Sequence, residues 1–185
     1  MEKLKQSLNS AVKAFDALEK ILDVPKSIVN EYDDILGVPL SEIIRDSTIQ
    51  RFESAHDTLW KAIKDYLDEY EGIISNSPKG CIKEAFAVKL LIEEETRKLL
   101  EMTDDRNMTS HRYKEEIATI IYGKISKHIE TIQKALNSIK AKTVNKERIE
   151  EVTRQHKQEQ HNIKTKQHQN NEQPQKQTHH RGWHL

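Results

Sequence analysis

The sequence of 185 residues has few of the residues that interrupt helices, with only five Gly and four Pro. Aromatic residues make up 5% of the chain, so a core must consist mainly of Leu, Ile, Val and Ala. The single cysteine, Cys81, excludes an intrachain disulfide framework and fits a reducing compartment. The scarcity of Gly and Pro, together with the 32% of residues that are charged, predicts an all-α protein with long helices and few turns.

Long apolar runs are also missing. No run approaches the roughly 18 residues that a membrane-spanning helix needs, and the N-terminal residues lack the apolar stretch of a signal peptide. We therefore expect a cytoplasmic protein. The chain contains no Gly-rich phosphate loop, no C-x-x-C pair and no H-E-x-x-H motif, so we expect neither a metal nor a cofactor.

Although the net charge is zero, residues 1–143 (the body) and residues 144–185 (the tail) differ in charge. Residues 144–185 contain eight Lys and Arg against five Asp and Glu, whereas the remaining 143 residues contain 22 basic and 25 acidic residues. The body is therefore not a broad basic surface for nucleic acid, and any RNA contact must be local or use the tail.

Apolar spacing predicts amphipathic helices over residues 2–24, 41–70 and 78–90, then from 93 to the vicinity of 106, and from 114 to about 141. A further short helix is predicted within 26–40. Ser77 and Pro78 have the residue types of an N-cap and a first helical position. The predicted apolar faces include Ile43, Phe52, Phe86, Ile120 and Ile121.

Beyond residue 143 the composition changes. Residues 144–185 contain eight Gln and six His, and their apolar positions are too sparse to offset the entropy lost on folding. The sequence thus predicts a helical bundle over 1–143 and a polar Gln/His-rich tail over 144–185, helical in part and disordered towards its end. The tail histidines form a weak candidate for a metal site.

The residues 105–113, DRNMTSHRY, combine side chains that are suited to chemistry rather than packing. His111 can transfer a proton near neutral pH, and Arg106 can bind a phosphate with two hydrogen bonds. Tyr113 offers a hydroxyl that can be modified. Alternatively, Arg106 and His111 only stabilise the C-terminal end of a helix through its dipole, and Tyr113 covers an edge of the core.

The spacing constrains any such site. On a regular helix, positions five apart lie about 140° apart around the axis, so Arg106 and His111 cannot face one atom. Either the helix changes form at Thr109-Ser110, or a second copy of the chain completes the site across a two-fold axis.

Other candidates have simpler interpretations. His56 and His128 lie on predicted helices, where a lone histidine is usually structural. Phe52 and Trp60 are more typical of a core than of a platform for stacking bases. The orientations of Arg51 and Lys61 stay open.

Four separated segments together resemble one family. IQRFE (49–53), LWKAIKDYL (59–67), SPKGCIKEAF (77–86) and DRNMTSHRY (105–113) are similar in order and spacing to the nucleotidyltransferase substrate-binding proteins of the HEPN superfamily. The resemblance covers about residues 40–125. It implies an up-and-down antiparallel bundle of four to five helices that forms homodimers.

The resemblance also implies a function. In that family the Arg-x4-His motif forms a ribonuclease site near the dimer interface, which here corresponds to Arg106 and His111, with Asn107 as the polar residue after the arginine. It implies a toxin that is neutralised when a minimal nucleotidyltransferase (MNT) antitoxin adds AMP to the motif tyrosine, Tyr113. The expected partners are therefore the MNT antitoxin, an RNA substrate and a second copy of the chain. The alternative is a non-catalytic, substrate-binding subunit of a nucleotidyltransferase.

Overall fold

A computed structural model of the chain describes residues 2–25, 27–29, 39–111 and 114–171, with the side chains of 166–171 left out. These residues form helices and turns, with no strand among them, which confirms the all-α prediction. The short helix predicted within 26–40 lies mostly outside this part of the chain. The main helices are α1 (Glu2–Leu22), α2 (Leu40–Tyr66), α3 (Pro78–Ala87), α4 (Glu93–Met108) and α5 (Glu115–Asn171).

Local side-chain chemistry explains where α2 ends and α3 begins. One π-helical turn, Leu67–Glu71, extends α2 and ends at Gly72, whose φ of 66° favours glycine. The hydroxyl of Ser77 then accepts a hydrogen bond from the amide of Gly80 at 3.1 Å, as an N-cap does. A Cβ atom at Gly80 would lie 2.8 Å from the Oγ atoms of Ser75 and Ser77, so a larger residue there would displace these hydroxyls, including the N-cap.

Contacts between the helices give their directions. The amide of Leu4 donates to Glu69, and Arg51 donates to the carbonyl of Ala17, so α1 and α2 are antiparallel. His56 lies against Thr103 and Glu53 against Thr109, so α2 and α4 are antiparallel as well. Arg45 pairs with Glu115, and Phe52 stacks on His128, so α5 runs in the direction of α2. The four long helices therefore alternate in direction, as an up-and-down bundle requires.

The core contains the apolar side chains that face the bundle axis. Aliphatic residues and alanine predominate, as the scarcity of aromatics predicts, with buried Phe15, Phe52 and Tyr66 as the aromatic members. The periodicity misplaces three side chains, because Ile43, Phe86 and Ile120 are exposed to between 41% and 51%. Ile121 is buried and Ile120 is 51% exposed, since one residue is a rotation of about 100° on an α-helix.

Contacts divide the chain into two compact units, Met1–Val144 and Asn145–Leu185, and this boundary falls within α5. In the second unit, the described residues form the C-terminal part of that helix. Its apolar side chains Ile149, Val152 and Ile163 are exposed. The candidate site described below belongs to the first unit.

Candidate functional site

The C-terminal end of α4 changes from α-helix to a 3₁₀ turn over Thr109–His111. The hydroxyl of Thr109 is buried, donates to the carbonyl of Arg106 at 2.7 Å and also contacts the carboxylate of Glu53. The hydroxyl of Ser110 donates to the carbonyl of Asn107 at 2.9 Å. These hydroxyls donate to carbonyls of the last turn of α4, and the Arg106 carbonyl also accepts the amide of Thr109. The helix therefore changes type at Thr109-Ser110.

Arg106 forms a two-point ion pair with Asp57 of α2. Its Nε donates to Oδ1 at 3.1 Å and its Nη2 donates to Oδ2 at 2.9 Å. The pair is partly accessible, with 30% of the Arg106 side chain and 37% of the Asp57 side chain exposed. A geometry in which two parallel N–H groups meet both carboxylate oxygens fixes the plane of the guanidinium.

Asp57 is also in contact with a buried histidine. Nδ1 of His56 lies 3.0 Å from Oδ1 of Asp57, and Nε2 of the same ring lies 3.1 Å from the hydroxyl of Thr103. Since a carboxylate only accepts hydrogen bonds, we assign the ring proton to Nδ1. Thr103 and Arg106 are one turn apart on α4. The adjacent residues His56 and Asp57 thus contact a single turn of α4 at two points.

Burial and charge act in opposite directions on these groups. Burial alone would raise the pKa of the Asp57 carboxyl, but the hydrogen bonds from Arg106 and His56, together with the charge of Arg106, outweigh it and lower this pKa. Burial lowers the pKa of His56, the Asp57 carboxylate opposes that shift, and the positive charge of Arg106 adds to it. At neutral pH the site therefore contains a carboxylate, a guanidinium and a neutral imidazole.

A second polar network lies next to the first. Oδ1 of Asp105 accepts from Lys124 at 2.6 Å, and its Oδ2 lies 3.0 Å from Nε2 of His128. Asp105 and His128 are both buried, and the His128 ring stacks on Phe52 with centroids 5.5 Å apart. This network joins α4 to α5 and agrees with a structural role for His128 and a core position for Phe52.

The other predicted site residues lie at the exposed end of α4. Asn107 and His111 are both exposed. Counting two α-helical steps and three 3₁₀ steps, His111 lies about 160° around the axis from Arg106. The 3₁₀ turn therefore does not bring the two side chains to one face. Tyr113, the predicted site of modification, lies outside the described residues.

Sequence reasoning missed Asp57 and Glu53, the acidic residues that face Arg106 and Thr109. Both lie about 50 residues from the motif in the chain, and neither spacing nor composition links them to it. A weak signal was available for Asp57, because it directly follows a histidine on a predicted apolar face. Within the described part of the chain, no three His, Cys, Asp or Glu side chains group in a way that could bind a metal ion.

Comparison with known proteins identifies the family. The sequence profile of the family described as nucleotidyltransferase substrate binding protein like matches residues 6–141. The chain belongs to this family. A comparison with curated proteins finds no match. The profile covers most of α1, all of α2 to α4 and the first part of α5, and it includes both Arg106 and Asp57.

Solved structures agree with this family assignment. A Thermus thermophilus protein is 35% identical, with a TM-score of 0.58 over 70% of this chain and 98% of its own. A Haemophilus influenzae protein, described as the substrate binding domain of a nucleotidyltransferase, is 22% identical, with a TM-score of 0.56 over 72% and 98%.

A third similar structure contains a Shewanella oneidensis HEPN toxin, tri-AMPylated and in complex with an MNT antitoxin. It is 13% identical, with a TM-score of 0.59 over 76% of this chain and 98% of its own. This likeness shows the fold alone, and the fold is that of the HEPN superfamily.

Across the described residues, no helix is long and apolar enough to cross a membrane.

Proposed function

We propose that this family member is a HEPN-type toxin: a metal-independent endoribonuclease that a cognate MNT antitoxin neutralises by AMPylation of Tyr113. The observation that carries the proposal is the intact Arg-x4-His motif at the exposed end of α4, with the Arg106 guanidinium fixed by Asp57. A scaffold that only binds another protein has no need of an oriented guanidinium and an exposed histidine in one short motif.

Cleavage of RNA needs no metal because the 2′-hydroxyl of the ribose supplies the nucleophile. A base removes its proton, O2′ bonds to phosphorus, and the bond from phosphorus to O5′ breaks as an acid protonates that oxygen. The products are a 2′,3′-cyclic phosphate and a 5′-hydroxyl. His111 has the chemistry for either proton transfer, and Arg106 for stabilising the charge on the phosphorane-like transition state. Asn107 would orient the RNA backbone.

The angle of about 160° between Arg106 and His111 supports a site that two copies of the chain form together. In a two-fold dimer, the His111 of each copy can face the Arg106 of the other. If the two-fold axis brings both motifs to one phosphate, one histidine acts as base and the other as acid, so a group is available for each proton transfer. The homodimer is thus part of the proposed mechanism.

AMPylation would switch the site off by charge and bulk. The phenolic oxygen of Tyr113 bonds to the α-phosphorus of ATP, the bond from that phosphorus to pyrophosphate breaks, and the phenol loses its proton. The new phosphodiester lies two residues from His111 and carries a negative charge that repels RNA phosphate. The Shewanella toxin of the same fold is described as tri-AMPylated and bound to an MNT antitoxin, which supports the same partner and modification here.

The alternative function is a non-catalytic subunit that presents a substrate to a nucleotidyltransferase. The family description and the Haemophilus influenzae neighbour favour it, since both name substrate binding rather than cleavage. This function predicts a stable complex with the transferase and no RNA cleavage.

A growth assay with mass measurement separates the two functions. Expression of the wild type alone should arrest growth, and Arg106→Ala or His111→Ala should relieve the arrest. Ser110→Ala is the matched control, since it changes an exposed residue of the same turn and should remain toxic. Co-expression with the cognate transferase should restore growth and add whole AMP units to the intact mass, and Tyr113→Phe should prevent this addition. Absence of both toxicity and mass gain would favour the binding subunit.

A further inference from the structure

We infer that Asp57 is a positioning residue, which orients Arg106 so that the free edge of its guanidinium meets the scissile phosphate. The inference rests on the proposed ribonuclease function and extends it to a residue outside the motif. Asp57 lies on α2, 49 residues before Arg106 in the chain. It would act through Arg106 without touching the RNA.

The hydrogen bonds between the two side chains define which edge remains. A guanidinium has five N–H groups, and Asp57 accepts one from Nε at 3.1 Å and one from Nη2 at 2.9 Å. The edge formed by Nη1 and the second N–H of Nη2 is not used in this pair. That edge can donate two parallel hydrogen bonds to the oxygens of a phosphate. Asp57 therefore selects the edge and fixes its plane.

Asp57 is itself prevented from rotating. Its Oδ1 accepts from both Arg106 and His56, and the far nitrogen of His56 lies 3.1 Å from the hydroxyl of Thr103. His56 is buried, and the space that it borders is lined by apolar side chains and is too small for water. The imidazole therefore has a fixed orientation, and its hydrogen bond to Oδ1 holds the carboxylate of Asp57 in place.

The pairing also suits a reaction in which charge increases. A neutralised guanidinium binds a ground-state phosphate less tightly than a free one, whereas its fixed geometry favours the transition state, in which charge on the phosphate oxygens increases. The arrangement should therefore support turnover more than binding. The opposite role, in which Asp57 blocks Arg106 until RNA displaces it, makes the opposite prediction for turnover.

Kinetics of Asp57→Asn distinguish these roles. The substrate is a single-stranded RNA of mixed sequence, cleaved by the purified unmodified chain. We expect kcat to fall by about 10²-fold, because misplacement of a catalytic group has an effect of that order, while KM stays the same or decreases. Asp104→Asn is the matched control: it removes the same charge from an exposed position on α4 that pairs with Lys79, and it should change kcat by less than about twofold.

Two results would overturn the inference. A rise in kcat for Asp57→Asn would make Asp57 a block on Arg106, and an unchanged kcat in a folded variant would give it no part in the reaction. If Asp57→Asn fails to fold, Asp57→Glu replaces it, since it keeps the carboxylate but places it on a longer stem. Its kcat should fall below that of the wild type, and a kcat equal to or above the wild-type value would overturn the inference.

A nuclear magnetic resonance measurement tests the orientation independently of activity. The Nε–H proton of Arg106 should exchange slowly with water in the wild type and in Asp104→Asn, and rapidly in Asp57→Asn. Absence of cleavage by the wild type would refute the proposed function, and with it the catalytic part of this inference. Rapid exchange of the Nε–H proton in the wild type would refute the positioning itself.

Discussion

Arg106 and Asp57 lie 49 residues apart in the chain and meet through two hydrogen bonds, from Nε to Oδ1 at 3.1 Å and from Nη2 to Oδ2 at 2.9 Å. This pair connects the motif at the end of α4 to the middle of α2. The two hydrogen bonds fix the plane of the Arg106 guanidinium and leave the edge formed by Nη1 and Nη2 facing away from Asp57.

Arg106→Lys should reduce the free energy of unfolding by only about 1 kcal/mol, because the ion pair is partly exposed and such pairs contribute little to stability. A lysine ammonium keeps the charge but cannot make the two-point contact. Urea unfolding followed by circular dichroism measures the change. A much larger loss would mean that Arg106 is mainly structural, and any loss of toxicity in its variants would then be due to unfolding.

His56 should make the folded state less stable in mild acid. Burial lowers its pKa in the folded chain, so the unfolded chain binds a proton below about pH 6.5 while the folded chain does not. Stability is therefore complete above that pH and decreases as the pH falls towards the lowered folded pKa. The Asp57 carboxyl, whose pKa is also lowered, adds a further loss below about pH 4.

The matching experiment compares urea unfolding at pH 7.5 and pH 5.5. The wild type should lose more stability over this interval than His56→Asn, in which the titrating ring is absent. His161→Asn removes an exposed histidine from the last part of α5, and its loss should equal that of the wild type. Equal losses in all three chains would show that His56 does not contribute to the acid sensitivity.

Asp105→Ala should destabilise the bundle by about 1–3 kcal/mol, because it leaves the ring nitrogen of the buried His128 without its hydrogen-bond partner. The neighbouring Asp104 provides a matched comparison. It is 62% exposed and pairs with Lys79, so Asp104→Ala should cost less than about 1 kcal/mol. Similar losses in the two variants, measured by urea unfolding, would contradict the different environments of these adjacent carboxylates.

Phe52→Ala should cost about 3–5 kcal/mol, since the ring is fully buried and stacks on His128. Ile120→Ala, at an exposed apolar position of α5, should have little effect on the unfolding midpoint. If Phe52 were instead a surface for stacking bases, its loss would weaken RNA binding and leave the midpoint unchanged.

The sequence predicted the helices well because local signals determine them. The apolar period, the Ser77 cap and the scarcity of Gly and Pro act over a few residues, so they can be found without a structure. Ile120 shows the limit of this approach. Where two adjacent residues are both apolar, the pattern does not show which of them faces the core, although the two side chains point about 100° apart. Packing against the other helices exposes Ile120 and buries Ile121.

The candidate site could be predicted only in part. Arg106, Asn107 and His111 are close in sequence, and their chemistry is evident from residue type. Asp57 and the His56–Thr103 contact depend on the antiparallel packing of α2 and α4, which no local pattern specifies. The roles of all these residues, and of Tyr113, stay predictions until activity is measured.

The most direct measurement is the cleavage of single-stranded RNA by the purified, unmodified chain in the presence of a chelator. We predict products that end in a 2′,3′-cyclic phosphate and a 5′-hydroxyl, formed by the wild type and by Ser110→Ala but not by Arg106→Ala or His111→Ala. Cleavage that persists in the Arg106 and His111 variants, or no cleavage by the wild type, would contradict a ribonuclease site at the end of α4.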